Sequence, residues 1–198
     1  MSASTVEIFI DFKSIAAYLC VKPTLAAAAA GGFNLVWQPF STRVKDLPDA
    51  REDETKGETH IRVRETARRA IHQRYARGQG IELEFPDKFG ATDLALAGLH
   101  WLTQHSPDAV ERYIDACFAR YWHTHPELND LSTVQQLLEA SGAAADAFAA
   151  ETAIAEFERW QDQSVERGVI DTPAYFVAGQ MFIGREHLPW ITQLARGH

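Results

Sequence analysis

Ser14 stands where an alternating apolar stretch, VEIFID (6–11), hands over to a run of good helix formers extending to Ala30. The first N–H groups of a helix have no partner within the helix, and its N-terminus carries a partial positive charge. An anion placed there is stabilised, so a hydroxyl at this point raises the question of what it serves. Ser is also a common N-cap, with Asp11 as the other candidate cap in this stretch. Residue type and position alone favour the cap. The two cysteines, Cys20 and Cys117, lie far apart and match no metal or redox spacing. Cys20, among Tyr18, Leu19 and Val21, reads as a small buried hydrophobe.

Other residues with chemical potential are weaker signals. Residues 59–78 carry Arg62, Arg64, Arg68, Arg69, Arg74 and Arg77. Guanidinium groups can hold a carboxylate in bidentate fashion. A solvated face paired with Glu58 and Glu65 accounts for most of them more simply. His123 and His125 are two residues apart and point to different helix faces, and His60, His100 and His105 have no ligand spacing, so no metal site is expected.

The elements that must position these residues follow from pattern. VEIFID suits a strand, a helix runs from its end to Gly31-Gly32, and Pro23 is expected to kink that helix because it removes a backbone donor. FNLVWQPF (33–40) is a second strand, making a βαβ unit whose strands are parallel. From Ser41 the chain turns polar, and helical patterns follow at 59–78, 91–105, 107–122, 130–142 and within 142–168. Two short apolar runs around Ala178-Gly179-Gln180 (173–184) signal a hairpin, and Leu188, Ile191 and Leu194 stripe a last helix. This order predicts an α/β protein, a thioredoxin-like fold with an all-helical insertion. The expected division is 1–47 with 165–198 for the thioredoxin-like part and 48–164 for the helical part.

Composition bounds the partners. With 46% hydrophobic residues in 198, the chain can bury an ordinary core. Its 19 basic and 27 acidic residues give a net charge of −8, which offers a nucleic acid nothing to bind. The N-terminus shows no secretory pattern and the apolar segments are too short for a bilayer, so a cytoplasmic protein with no membrane partner is expected.

FIDFKSIAAYLC, together with GVIDTPAYFVAGQMFIGREHLPWI, resembles the DsbA-like thioredoxin superfamily. The likeness is to its branch of kappa-class glutathione transferases and 2-hydroxychromene-2-carboxylate isomerases. RETARRAIHQRYARGQGI and LNDLSTVQQLLEASG also fit, so the resemblance covers nearly the whole chain. Redox members of the superfamily carry Cys-x-x-Cys where this chain has Ser14-Ile15-Ala16-Ala17. Without either thiol, ordinary disulfide exchange is lost.

The resemblance implies a glutathione-dependent isomerase or transferase with glutathione as cofactor, in which Ser14 stabilises the glutathione thiolate. It implies that Thr172-Pro173 is the family's cis-proline step, with the backbone of Thr172 pairing with glutathione. It also implies that Arg185 and Glu186 stand where relatives hold the γ-glutamyl end. The implied partner is a small molecule, an aromatic or carboxylate-bearing electrophile, and relatives of this kind are commonly homodimers. Two departures stand out: Ile15 replaces the family's proline, and Lys13 adds a charge beside Ser14. The competing readings are a non-catalytic thioredoxin-fold binding module and a divergent oxidoreductase using Cys20 or Cys117.

Overall fold

The computed structural model describes residues 4–43, 51, 53–83, 85–86, 88–124 and 127–197. Strand β1 (Thr5–Ile10) leads into helix α1 (Ile15–Gly31), which returns the chain to strand β2 (Asn34–Pro39). Five helices follow: α2 (Lys56–Gly78), α3 (Asp93–His105), α4 (Val110–Thr124), α5 (Leu131–Ser141) and α6 (Ala150–Glu166). The chain closes with β3 (Ala174–Val177), β4 (Gln180–Ile183) and α7 (Leu188–Ala195). The sheet order is β2-β1-β3-β4, with β1 parallel to β2 and antiparallel to β3, and β3 antiparallel to β4. This is the α/β arrangement expected from the pattern. His125 lies outside the described residues.

Alternation along β1 sends its two faces to different clusters. Val6, Ile8 and Ile10 join a large core with Ala17 and Cys20 of α1, Leu96 and Leu99 of α3, and Tyr113 and Phe118 of α4. Phe9 faces the other way, into a smaller cluster with Phe40, Val169 and Ala174, and stacks on Trp160 of α6 with ring centroids 6.1 Å apart. Helix α3 is covered on nearly all sides: beyond the expected Leu94, Ala97, Leu99 and Leu102 it also buries Ala95, Leu96, Gly98 and Trp101. Gly98 is required by close approach, because a Cβ there would lie 2.5 Å from the Tyr113 hydroxyl. That hydroxyl donates to Ala95 O at 3.0 Å.

The hairpin turn is the two-residue Ala178-Gly179, with φ of 49° and 73°, the left-handed pair that a twisted two-residue hairpin demands. Gln180 already belongs to β4. Helix α2 stands apart in chemistry. Its start is fixed by a capping box between Thr55 and Glu58, and among its described residues only Ala76 is buried. Its arginines pair locally as expected for a solvated face, Arg68 with Glu65 at 3.2 Å, though Arg62 turns back to Glu54 at 2.8 Å. Among the described residues, no helix is long and apolar enough to cross a membrane.

Candidate active site

Ser14 is the N-cap of α1, and Asp11 is not. Its backbone is extended, with φ −85° and ψ 110°, and its Oγ accepts from Ala17 N at 3.3 Å. The same hydroxyl donates to Thr172 O at 3.2 Å across the sheet end, and the residue is 8% exposed. The helix end therefore meets the turn before β3, where Thr172-Pro173 is cis. Ser14, Thr172 and Pro173 are brought together as the sequence implied. Both backbone groups of Thr172 are already engaged, its carbonyl by Ser14 and its N–H by Asp171 Oδ1 at 2.8 Å. Thr172 Oγ1 is buried without a partner.

Asp11 has a different task. It lies at the end of β1, fully buried, and its carboxylate gathers donors from three parts of the chain. Oδ1 accepts from Lys13 N at 3.1 Å and from Thr92 Oγ1 at 2.8 Å. Oδ2 accepts from Thr42 N at 2.6 Å and Thr42 Oγ1 at 2.8 Å, and pairs with Lys13 Nζ at 3.2 Å. Lys13 Nζ donates further to Ser41 Oγ at 3.1 Å, so the charge flanking Ser14 is folded inward, with its side chain 11% exposed. A buried ion pair holds only when its remaining hydrogen-bonding capacity is filled, and here the two threonines and Ser41 fill it. The network ties the Ser14 loop to the exit of β2 and to Thr92, the cap of α3. Sequence reasoning missed it. The signal was an acid at the end of an apolar strand followed two residues later by a lysine.

Arg185 and Glu186 form a short 3-10 turn between β4 and α7. Neither bonds to Ser14. Arg185 Nη1 donates to Leu19 O in α1 at 3.2 Å, and its guanidinium carbon lies 3.9 Å from the ring centroid of Tyr75 in α2. Glu186 is exposed. The two line a cavity of about 530 Å³ with Pro23, Tyr75 and Leu188. Tyr75 was not anticipated, because nothing local announces that α2 reaches the hairpin exit.

The thiols are chemically quiet. Cys20 and Cys117 are free and buried. Burial pushes the Cys20 thiol up to about 11 and raises the Cys117 thiol still further. Burial, followed by the nearby Arg185 and Arg68 guanidinium groups, lowers the His72 imidazole below its ordinary 6.5. Among the described residues no group of three or more His, Cys, Asp and Glu is placed to hold a metal ion.

The DsbA-like thioredoxin domain matches residues 5–194. In sequence the chain is 25% identical over 196 residues to 2-hydroxychromene-2-carboxylate isomerase of Sphingobium xenophagum, covering 94% of this chain and 95% of the relative. A solved structure of a 2-hydroxychromene-2-carboxylate isomerase superposes with a TM-score of 0.73 at 18% identity, over 96% of this chain and 93% of the other. A probable DsbA oxidoreductase from Streptomyces coelicolor reaches 0.69 at 18% identity, over 98% and 89%. The cytosolic disulfide reductase DsbM of Pseudomonas aeruginosa, solved with GSH, reaches 0.54 at 11%, over 96% and 95%. These three structural likenesses speak to the fold. The family match over nearly the whole chain makes this chain a member of the DsbA-like thioredoxin domain family, within which it is similar along its whole length to a 2-hydroxychromene-2-carboxylate isomerase.

Proposed function

We propose that this protein is a glutathione-dependent enzyme, an isomerase or a transferase, in which a bound glutathione thiolate adds to an aromatic or carboxylate-bearing electrophile. One observation carries the reading: the Ser14 hydroxyl, at the N-terminus of α1, donates to the carbonyl of Thr172. A cysteinyl peptide laid along Thr172 offers its own N–H to that carbonyl and its own C=O to the Thr172 N–H. Those contacts replace Ser14 on one side and Asp171 on the other. The freed hydroxyl then turns to the sulfur, where the helix end favours the thiolate over the thiol. Peptide binding and thiolate stabilisation are coupled through one hydrogen.

The thiolate forms a C–S bond to the electrophilic carbon, and the displaced electron pair moves onto the conjugated carbonyl. In an isomerase a bond rotates or a ring opens and closes, the pair returns, the C–S bond breaks, and the thiolate is regenerated. In a transferase the adduct takes a proton and leaves. Support comes also from the whole-length similarity to an isomerase and from a structural neighbour solved with GSH.

The test is calorimetric titration with reduced glutathione and S-methylglutathione, with the ultraviolet absorbance of bound thiolate followed against pH. Expected are binding of both and a thiol titration below that of free glutathione. Absence of binding at millimolar ligand overturns the reading and favours a binding module without chemistry.

A further inference from the structure

Strand β2 lies at one end of the sheet, and β1 is its neighbour among the described residues. The parallel ladder between them shows which backbone groups are left over. Asn34 N donates to Ser4 O at 2.8 Å and Phe40 N to Ile10 O at 2.9 Å, so the even residues of β2 turn their backbone groups toward β1. Leu35, Trp37 and Pro39 turn theirs outward. Pro39 has no N–H to leave unpaired, and its carbonyl accepts from Trp160 Nε1 at 3.0 Å. No hydrogen bond among the described residues covers the N–H and C=O groups of Leu35 and Trp37 in the same way.

A cavity of about 490 Å³ runs along this edge. Leu35, Val36 and Trp37 all line it, and three consecutive strand residues, whose side chains alternate faces, share one cavity only along the edge of the strand. Trp37 is 3% exposed, and its indole N–H is buried without a partner. Across the cavity stand Pro107 and Val110, at the entry to α4, with the exposed carboxylates of Asp108 and Glu111 beside them. Neither acid is in an ion pair among the described residues. Arg112, the cation lining the same cavity, donates its Nε to Ser141 O at the end of α5, at 2.7 Å.

We infer that the outer edge of β2 is a docking site for an extended, basic segment of another protein, which adds beside Leu35 and Trp37 as a fifth strand and places a lysine or arginine at Asp108 and Glu111. In strand addition the main-chain bonds supply affinity, and the alternate side chains supply specificity. The segment also brings acceptors, which the Trp37 indole N–H lacks and which a buried donor needs. A basic side chain fits the two unpaired carboxylates, its apolar stem crossing Pro107 and Val110, and the net charge of −8 steers such a partner inward. Trp160 on Pro39 O closes the far end of the edge, so the added strand is confined to the Leu35 end. Ser14 and its partners Ala17 and Thr172 take no part in this surface.

The experiment is an NMR titration of the full chain with acetyl-Thr-Val-Thr-Lys-Thr-Val-Thr-amide, which presents Val, Lys and Val on one face of a strand. Expected are a Kd below about 1 mM and the largest shifts at the Leu35 and Trp37 amides and the Trp37 indole N–H. The peptide with Glu in place of Lys is expected to bind about tenfold more weakly. Leu35→Pro removes an outward N–H and leaves the ladder to β1 intact, as Pro39 does naturally, and is expected to weaken the Lys peptide about tenfold. If Leu35→Pro does not fold, Asp108→Asn combined with Glu111→Gln, on exposed side chains, is expected to weaken it several-fold.

No binding at millimolar peptide, equal affinity for the Lys and Glu peptides, or affinity within about twofold in the folded variant overturns the inference. Shifts that fall away from β2 overturn it too. A dimer of the free protein, seen by sedimentation and dissociated by Leu35→Pro, assigns the edge to a second copy of this chain and overturns it as well.

Discussion

Replacing Asp11 by Asn changes almost no volume, yet the surroundings leave the amide nowhere to fit. Each carboxylate oxygen accepts from one backbone N–H, Lys13 N on one side and Thr42 N on the other. Those donors cannot rotate away, so whichever way the amide is turned its NH2 confronts an N–H. The Lys13 ammonium, 11% exposed, loses its carboxylate partner at 3.2 Å. Breaking a buried pair by removing one member costs about 3–5 kcal/mol, a large share of the roughly 5–15 kcal/mol that a domain possesses. Asp11→Asn is therefore expected to lose about 3–5 kcal/mol in urea unfolding followed by circular dichroism, with an unchanged slope. Adding Lys13→Met removes the stranded charge and is expected to return part of that loss. A single-variant loss below about 1 kcal/mol, no more than a surface pair contributes, would refute the reasoning and reduce the network to an incidental contact.

Ser14→Ala removes both an N-cap bond and the donor to buried Thr172 O, so a loss of about 1–2 kcal/mol is expected in the same assay. Ser14→Asp keeps the cap but turns a carboxylate toward that carbonyl; it is expected to be no more stable than Ser14→Ala and to raise the bound thiol's pKa, and unchanged thiol titrations in both variants would leave Ser14 as a cap alone. Neither thiol is expected to react with a disulfide reagent in the native state or to support insulin reduction, since both are buried and Cys20 sits near 11; turnover above that of a Cys20→Ala, Cys117→Ala variant would contradict this. His72 is expected to titrate by NMR below 6.5 and to move upward in Arg185→Gln. Its folded-state value is depressed, so the stability it contributes is complete above 6.5 and declines as pH falls below it. Gly98→Ala drives a methyl into the Tyr113 hydroxyl and is expected to lower the melting temperature by several degrees.

Much of this molecule could be read locally. The alternation of Val6, Ile8 and Ile10, the cap at Ser14, the stop at Gly32 and the left-handed turn at Ala178-Gly179 depend on neighbours within about four residues. The absence of thiols at Ser14 and Ala17 is likewise a statement about residue type, and with the family resemblance it underlies the expectation that ordinary disulfide exchange is lost. What tertiary structure decided is which distant group satisfies each polar atom those local rules leave over. Asp11 read as a possible cap, but its carboxylate collects Thr42 and Thr92, residues 31 and 81 positions away. Pro23 announced a missing helical donor, but only packing could show that Gln79 and Arg185 supply it. The basic excess of α2 read as a solvated face, which it mostly is, while Tyr75 on the same helix carries the Arg185 stack. Local sequence specifies where a buried polar group must find a partner; the choice of partner belongs to the packing, because desolvation makes an unpaired group costly at any sequence separation.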